Sequence, residues 1–401
     1  MRPARLVLVV APGMSLRVFI LAGEPSGDRL GGALMAGLKQ LEPSVRFDGI
    51  GGALMAEQGL VSRFPMDELS VMGLAEVLPK YRHLKRRIRE TAEAVLETKP
   101  DVLITIDSPD FSLRVARLVK EQSDIRTVHY VAPSVWAWRP KRAAKMAEVI
   151  DHVLALLPFE PPYMEAAGMD CDFVGHPVVA EPRATEAEIA AFREAFALSD
   201  APFVLALPGS RRSEVSRLAP EFGGALAGFS IAHPQYRIVV PAAAPVAPLV
   251  REALRGWPEG TVLVDPGLFD PSTAKAHKRA AFAGAELALA ASGTVSLELA
   301  ASATPMVVAY KFQWLTWQIM KRMALIDTVT LVNLVSDTRV VPECLGPDCT
   351  PQAIAAELEK LAAEPHAQRE AMALTMERLG LGGEAPGLRA ARAVLERLPV
   401  K

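Results

Sequence analysis

Short, continuous apolar runs recur along this chain, and each is followed by a turn and a helical pattern. The clearest run is Phe203–Leu207, which ends at Pro208 and Gly209 and leads into a helix. Runs that are apolar throughout are typical of strands buried on both faces, as in a parallel sheet. The alternation of such strands with helices predicts a doubly wound α/β fold.

Two sets of these elements predict two domains. The expected strands of the first set are 17–22, 45–50, 101–106, 127–131, 152–157 and 171–174, and those of the second are 203–207, 236–240, 261–264, 286–290 and 305–309. A chain of 401 residues also exceeds what one core usually serves. We therefore expect two Rossmann-like domains facing a cleft, over 14–180 and 181–375. A helical tail over 376–401 can pack back on the first.

Composition excludes several classes of protein. The chain has 44 Lys and Arg against 46 Asp and Glu, so its net charge of -2 indicates no nucleic-acid partner. Cys171, Cys344 and Cys349 form no disulfide framework or zinc pattern, which is typical of a reducing compartment. We expect no metal.

The N-terminus faintly resembles a signal peptide. Its apolar part, which follows Arg2 and Arg5, is at the short end for one, and a second start at Met14 follows at once. We expect residues 1–13 to be a dispensable extension and leave the true start, Met1 or Met14, open. No other segment qualifies as a membrane span.

Two turns in the second domain are predicted to bind phosphate. Gly209, Ser210 and Arg211 lie where a strand meets a helix capped by Ser210 or Ser213, and guanidinium grips phosphate oxygens in pairs. An ordinary turn with solvated arginines is the alternative.

Ser292, Gly293 and Thr294 form a second turn of this kind. Glu298, one helical turn later, can accept from ribose hydroxyls or can only cap or pair. Two phosphate-binding turns favour a nucleoside diphosphate as the ligand, although the chain has no P-loop motif.

Asp107 is the candidate general base of the first domain. It follows the strand 101–106, at the sheet edge where ligands bind, and it lies too early to cap the next helix. Ser108 or Asp110 explains that cap. A nicotinamide cofactor is disfavoured, because the glycines after the first strand lack the dinucleotide-binding spacing.

Two further segments are candidate ligand contacts. The loop with Trp136, Trp138 and Arg139 carries more amphipathic area than a loop usually does, although a hydrophobic staple for the next helix also explains it. The apolar stretch 69–78 precedes a basic helix over 80–89. That pair suits an acylated, phosphorylated ligand or an anionic membrane, or else is a buried loop beside a solvated helix face.

In these residues the chain resembles the lipid-A-disaccharide synthases of Gram-negative bacteria, which are inverting glycosyltransferases of the two-Rossmann GT-B architecture. The matching stretches are 23–28, 71–78, 106–111, 129–139, 156–160, 173–177, 207–211, 291–294 and 331–334. The segment 134–139 is the most specific of them, and 342–347 departs from the family pattern.

The resemblance implies a reaction that needs no cofactor. UDP-2,3-diacylglucosamine donates its sugar to the 6-hydroxyl of 2,3-diacylglucosamine 1-phosphate, which gives the β(1→6) disaccharide 1-phosphate and UDP. It implies that Asp107 is the base, that Arg211 stabilises the departing diphosphate, and that Asn333 lines the same cleft as Glu298. The acceptor or acyl contacts it implies are Glu24, Ser26, Asp28, Met72, Leu74, Trp136, Trp138 and Arg139.

The acyl chains of these substrates also imply a place at a membrane. Residues 69–89 and a second surface can supply peripheral contact with the cytoplasmic face of an anionic inner membrane. The second surface consists of Phe312, Trp314, Leu315 and Trp317, flanked by Lys311, Lys321 and Arg322. A homodimer is left open. The alternative functions are a UDP-N-acetylglucosamine 2-epimerase-like isomerase and a non-catalytic nucleotide-sugar-binding protein.

Overall fold

The structure is a computed structural model that describes residues 15–69 and 74–399. The chain divides into two compact units. The first runs up to Ala180 and resumes at Gly382, and the second is Glu181–Leu381. The predicted extension 1–13 lies outside the described residues. The predicted tail begins at 376, whereas the chain returns to the first unit at 382.

Among the described residues, the first unit contains a six-stranded parallel sheet in the order β2-β1-β3-β4-β5-β6. Its strands are β1 (Arg17–Ala22), β2 (Arg46–Ile50), β3 (Val102–Ile106), β4 (Arg126–Tyr130), β5 (His152–Ala155) and β6 (Asp170–Phe173). Phe19, Ile20 and Ile104 are fully buried, because helices cover both faces of such a sheet.

The helices of the first unit follow the strands in alternation. They are α1 (Pro25–Leu41), α2 (Ala53–Glu57), α3 (Leu74–Thr98), α4 (Pro109–Lys120), α5 (Lys141–Ala147) and α6 (Pro161–Glu165). The helix α1 begins at Pro25, inside the turn expected over 23–28. Proline is favoured at the first helical position, because its ring presets the helical φ and its missing N–H has no partner there in any case.

The second unit holds another six-stranded parallel sheet, in the order β12-β11-β10-β7-β8-β9. Its strands are β7 (Phe203–Leu207), β8 (Arg237–Pro241), β9 (Val262–Val264), β10 (Leu287–Ala291), β11 (Met306–Tyr310) and β12 (Glu343–Leu345). The short edge strand β12 lies in the segment 342–347, which sequence analysis left without a role.

The helices of the second unit complete its two outer layers. They are α7 (Glu186–Ala195), α8 (Arg212–Ala232), α9 (Ala247–Ala253), α10 (Pro271–Gly284), α11 (Val295–Ala301), α12 (Trp314–Met323), α13 (Leu331–Ser336), α14 (Pro351–Ala363) and α15 (His366–Arg378). No helix among the described residues is long and apolar enough to cross a bilayer.

The last helix, α16 (Pro386–Glu396), returns to the first unit and packs on α1. Two glycines permit this close approach. A Cβ on Gly37 would lie 2.6 Å from the carbonyl oxygen of Gly387, and one on Gly387 would lie 2.5 Å from that of Ala33. Beyond the helix, Arg397 donates to Asp170 at 2.9 Å and to Asp172 at 3.1 Å. The tail is therefore part of the first unit.

Both sheets have a topological switch point beside their first strand. The strand β1 lies between β2 and β3, and β7 lies between β8 and β10. In open α/β sheets the ligand crevice forms at this point, outside the carboxyl ends of the strands. The turns that carry Asp107, Gly209 and Ser292 follow β3, β7 and β10. The predicted α/β fold of two doubly wound parallel sheets is confirmed.

Candidate active site

A cavity of about 660 Å³ lies at the switch point of the second unit. Its lining combines the turn after β7, the turn after β10 and one face of α10. All the nucleotide-binding and leaving-group residues predicted in the second domain, except Asn333, line this cavity: Gly209, Ser210, Arg211, Ser292, Gly293, Thr294 and Glu298. Segments more than eighty residues apart in sequence thus contribute to one site.

The turn after β7 is already occupied by a carboxylate of the chain. The backbone N–H groups of Ser210 and Arg211 donate to Oε2 of Glu214 at 3.1 and 3.2 Å, and Nη1 of Arg211 donates to Oε1 at 3.0 Å. Gly209 has a φ of +116°, and a Cβ there would lie 2.6 Å from Cβ of Glu214. Only glycine allows the carboxylate to fold back in this way.

The capping prediction for this helix is corrected. The helix α8 begins at Arg212 with Arg211 in the N-cap position, and neither Ser210 nor Ser213 caps it. Instead, the carboxylate of Glu214, in the first turn, accepts from the N–H groups of Ser210 and Arg211 that precede the helix.

The turn after β10 is open by comparison. Gly293 and Thr294 are exposed. Within the part of the chain that the structure describes, neither donates a backbone hydrogen bond, while Ser296 donates its hydroxyl to the carbonyl of Gly293 at 3.0 Å. The turn therefore presents unused donors to the cavity.

The helix α10 brings two lysines to the same cavity, and sequence analysis missed both. Lys278 forms an ion pair with Glu298, and the ribose contact predicted for Glu298 stays a prediction. Lys275 is exposed and makes no ion pair with another described residue. The two lysines are three residues apart, which places them on one helix face. This spacing was the available signal.

Asn333 is a structural residue, which corrects its predicted place in the cleft. Its amide donates to Oγ1 of Thr328 at 3.1 Å and to the carbonyl of Val341 at 2.9 Å, and its oxygen accepts from the N–H of Val341 at 3.0 Å. The side chain is buried and absent from the cavity lining. It joins the segments on either side of α13.

Asp107 lies at the switch point of the first unit. Both Asp107 (φ +49°) and Ser108 (φ +45°) adopt the left-handed conformation, which costs a non-glycine residue on the order of 1–2 kcal/mol. The backbone of Asp107 donates to Tyr130 at 3.0 Å and accepts from the Ser112 hydroxyl at 2.8 Å. These contacts hold a half-buried carboxylate beside the end of β1.

Ser108 is a second unusual feature of this turn. Among the described residues, its buried hydroxyl has no hydrogen-bond partner. It lies close to Gly23, where a Cβ would come within 2.7 Å of it. Ser108 is in the N-cap position of α4 but makes no capping bond, so the cap expected of it is not formed.

The predicted contacts after β1 have different outcomes. Asp28 is buried and accepts from the N–H groups of Gly52, Leu54 and Met55 at 2.8, 3.0 and 3.0 Å. It caps α2, which corrects its assignment as an acceptor contact. Glu24 lies at the N-cap of α1 and Ser26 is exposed in its first turn. Met72 and the side chain of Leu74 lie outside the described residues.

The tryptophan loop divides into an anchor and an exposed tip. Trp136 is buried, and its ring N–H donates to Glu160 at 3.2 Å. Burial raises the pKa of Glu160 to about 7. Trp138 is 39% exposed, and the guanidinium of Arg139 lies 4.1 Å from its ring centroid. Trp136 therefore secures the loop, while Trp138 and Arg139 remain accessible to a ligand.

The match to known proteins covers almost the whole chain. A family model described as lipid-A-disaccharide synthetase matches residues 18–393. The lipid-A-disaccharide synthase of Ruegeria pomeroyi is 70% identical over 400 residues, which span 100% of both chains. The chain belongs to the lipid-A-disaccharide synthase family. Its relative from Rhodospirillum centenum is 46% identical, with 95% of this chain and 94% of that one covered.

The predicted activity is thereby confirmed. As a member of this family, the protein is a glycosyltransferase of lipid A biosynthesis. The UDP-GlcNAc 2-epimerase of Neisseria meningitidis, solved bound to UDP-GlcNAc, has a TM-score of 0.61 over 96% of this chain and 99% of its own. At 14% identity that likeness concerns the fold alone.

Within the part of the chain that the structure describes, no group of three or more His, Cys, Asp or Glu side chains could hold a metal ion. The charges that line the second-unit cavity are those of Lys275, of the pair of Arg211 with Glu214, and of the pair of Lys278 with Glu298.

Proposed function

We propose that the second-unit cavity binds the UDP portion of the donor. The observation that carries this proposal is the convergence of the turns after β7 and β10 on one cavity at a switch point. The cavity lining includes the apolar residues Val264, Pro266 and Phe269, which suit a flat base. It also includes Arg211, Lys275 and the open turn 292–294, which suit two phosphates.

Phosphate binding then falls to side-chain cations and to the turn after β10. The backbone donors of Ser210 and Arg211 are already used by Glu214, so the turn after β7 contributes through the Arg211 guanidinium. Glu298, held by Lys278, keeps one carboxylate oxygen for a ribose hydroxyl.

Asp107 acts as the general base of an inverting displacement. The acceptor 6-hydroxyl attacks the anomeric carbon and gives its proton to the Asp107 carboxylate, while the bond from that carbon to the diphosphate oxygen breaks. The electron pair leaves with UDP, and Arg211 stabilises the charge that develops. Support comes from the fixed, half-buried position of Asp107 at the switch point.

The acceptor binds in the first unit beside Glu24, Ser26 and the tip of the tryptophan loop. Arg139 is exposed and suits the 1-phosphate, and the face of Trp138 suits a sugar or the start of an acyl chain. The loop holds these two side chains in place through the bond from Trp136 to Glu160.

A two-substrate assay tests the function directly. The purified protein is given the acylated UDP-sugar with and without 2,3-diacylglucosamine 1-phosphate, and UDP and the disaccharide are followed by thin-layer separation. We expect UDP to appear only with the acceptor, in equal amount to the disaccharide. UDP release without acceptor would indicate an epimerase-like isomerase, and donor-induced stabilisation without turnover would indicate a non-catalytic binding protein.

Peripheral membrane contact is proposed for the end of α12, in addition to the segment 69–89 predicted from the sequence. Met320, Met323 and Leu325 are exposed there beside Lys321 and Arg322, and neither cation forms an ion pair with another described residue. We name these five residues the α12 patch. Apolar side chains next to free cations favour an anionic bilayer surface, here the cytoplasmic face of the inner membrane.

Part of the charge on the predicted basic helix is used in ion pairs. On α3, Arg87 pairs with Glu68 at 2.7 Å and with Glu90 at 2.9 Å, and Arg86 pairs with Glu90 at 3.4 Å. Of the aromatic residues in the predicted second surface, Trp317 stacks on Phe312 and crowds Gly346, so it packs within its own unit. A homodimer stays a prediction.

A further inference from the structure

Glu214 satisfies donors that sequence analysis assigned to phosphate. Its carboxylate is bound on both oxygens, by two backbone N–H groups on one and by the Arg211 guanidinium on the other. Its side chain is only 11% exposed, whereas that of Arg211 is 68% exposed. The acid is thus the fixed member of the pair and the arginine the movable one.

We infer that Glu214 is a positioning residue, which closes the turn after β7 to phosphate and holds the Arg211 guanidinium at the edge of the cavity. This inference rests on the proposed function, in which Arg211 contacts the diphosphate.

The geometry supports a permanent rather than a displaceable carboxylate. Gly209 leaves no room for even a Cβ beside Glu214, so the acid is packed against the turn as well as bonded to it. A phosphate that replaced it would have to expel a charged group from three hydrogen bonds, each of a kind that contributes more than a neutral bond.

The contact with Glu214 lowers the conformational entropy that Arg211 loses when a ligand binds. A long arginine side chain that is mostly exposed samples many rotamers, and ordering it costs entropy when the ligand binds. The bond from Nη1 to Glu214 removes part of that freedom beforehand. The remaining N–H groups of the guanidinium stay available for phosphate oxygens, because the fork carries five donors.

The test is a double-mutant cycle on UDP binding, measured by titration calorimetry. Glu214→Gln keeps an amide oxygen that can accept from the N–H groups of Ser210 and Arg211, but its NH₂ group cannot accept from the guanidinium. We expect UDP affinity to fall roughly threefold to tenfold in this variant. In an Arg211→Ala background the same change is expected to have less than about a twofold effect, because its action runs through Arg211.

Glu252→Gln is the matched control. Glu252 also pairs with an arginine three residues away, Arg255 at 2.8 Å, but it does not line the cavity. Glu252→Gln changes the net charge by the same amount as Glu214→Gln and should leave UDP affinity unchanged. Glu214→Asp provides a second variant if Glu214→Gln folds poorly, since it keeps the charge but shortens the reach to Arg211. It should also weaken binding.

Three results would overturn the inference. Tighter UDP binding by Glu214→Gln would mean that the acid competes with phosphate for the turn. Affinity unchanged in both Glu214 variants would mean that Arg211 needs no support. Equal losses with and without Arg211 would mean that Glu214 serves only the helix start.

Failure of the proposed function has a different signature. If the wild-type protein does not bind UDP, the cavity assignment fails and the inference fails with it. If the wild type binds UDP and Arg211→Ala weakens it, the cavity assignment stands, and the Glu214 variants alone decide the inference.

Discussion

At the scale of single residues, the backbone uses two polar side chains that were expected at ligands, Asp28 and Asn333, and a third, Glu214, that lines the cavity. Asp28 caps α2, Asn333 joins the two sides of α13, and Glu214 closes the turn after β7. Asp28 and Asn333 satisfy backbone groups that would otherwise be buried without a partner, at a cost of about 1–3 kcal/mol each, whereas the N–H groups bound by Glu214 are exposed. Hydrogen bonding to the backbone thus competes with ligand binding for the same polar side chains.

Asp107→Asn should abolish most turnover and keep donor binding. The amide matches the carboxylate in shape but cannot take the proton of the acceptor hydroxyl, so we expect kcat to fall roughly 10²–10⁴-fold. The measurement is the two-substrate assay beside UDP titration. Asp110→Asn, in the first turn of α4 and exposed, is the control with near-normal rate. A near-normal rate in Asp107→Asn would remove it from the role.

Lys275→Ala should weaken UDP binding roughly tenfold, as the loss of one charge-assisted contact does. Because the lysine is exposed, the loss should shrink at high salt. Calorimetric titration with UDP at two salt concentrations measures both effects. Lys360→Ala, an exposed lysine of the same unit that pairs with Glu357, should bind as the wild type does. Equal affinity of both variants would place the phosphates elsewhere.

At the scale of elements, strand positions followed from apolar runs, but element ends did not. The helix α1 begins at Pro25 although the turn was expected to extend to 28, and α8 begins after an arginine rather than a serine cap. The strand β12 has only three residues, of which Cys344 alone is buried. Because β12 has no apolar run of its own, its place in the sheet depends on its backbone pairing with β11.

The loop anchored by Trp136 should respond to pH through Glu160. Burial raises the pKa of Glu160 to about 7 in the folded state, whereas its ordinary pKa is 4.5. Between these two pH values the folded state therefore holds a proton that the unfolded state has released. The stability from this proton is fully present below that ordinary value and is lost as pH rises through 7. Wild type should therefore lose stability over this range.

Glu160→Gln removes that dependence, since glutamine does not ionise. Between pH 5 and pH 8 we expect the unfolding free energy of the wild type to fall, relative to that of the variant, by on the order of 1–3 kcal/mol. Denaturant unfolding at several pH values measures it. Glu165→Gln, on the same helix and exposed, is the control. A difference that stays constant with pH would contradict the assignment.

At the scale of the whole molecule, the strand orders determine where each unit presents its site. In each sheet the strand order reverses direction at the first strand, which has later strands on both sides. Turns rich in hydrogen-bond donors or carboxylates follow the strands at that point. Chemistry-bearing residues far apart in sequence are thereby collected within each unit.

The α12 patch should govern binding of the whole protein to membranes. Lys321→Gln with Arg322→Gln should lower partitioning onto anionic vesicles roughly tenfold or more, since each cation near such a surface contributes about 1 kcal/mol. Vesicle sedimentation at low and high salt, with neutral vesicles alongside, measures this. Arg255→Gln with Lys360→Gln removes equal charge from ion-paired sites. Equal partitioning of all three proteins would exclude the patch.

The sequence by itself determined the α/β class, the positions of the described strands other than β12, and the turns that carry Asp107, Arg211 and Ser292. Buried parallel strands favour apolar runs, and their turns favour glycine or polar residues. Only the tertiary structure decided which polar side chains remain available. Lys275 reaches the cavity because α10 packs beside α11, and Glu214 is withdrawn because a folded turn offers it three donors. Both outcomes depend on neighbours that local sequence patterns do not specify.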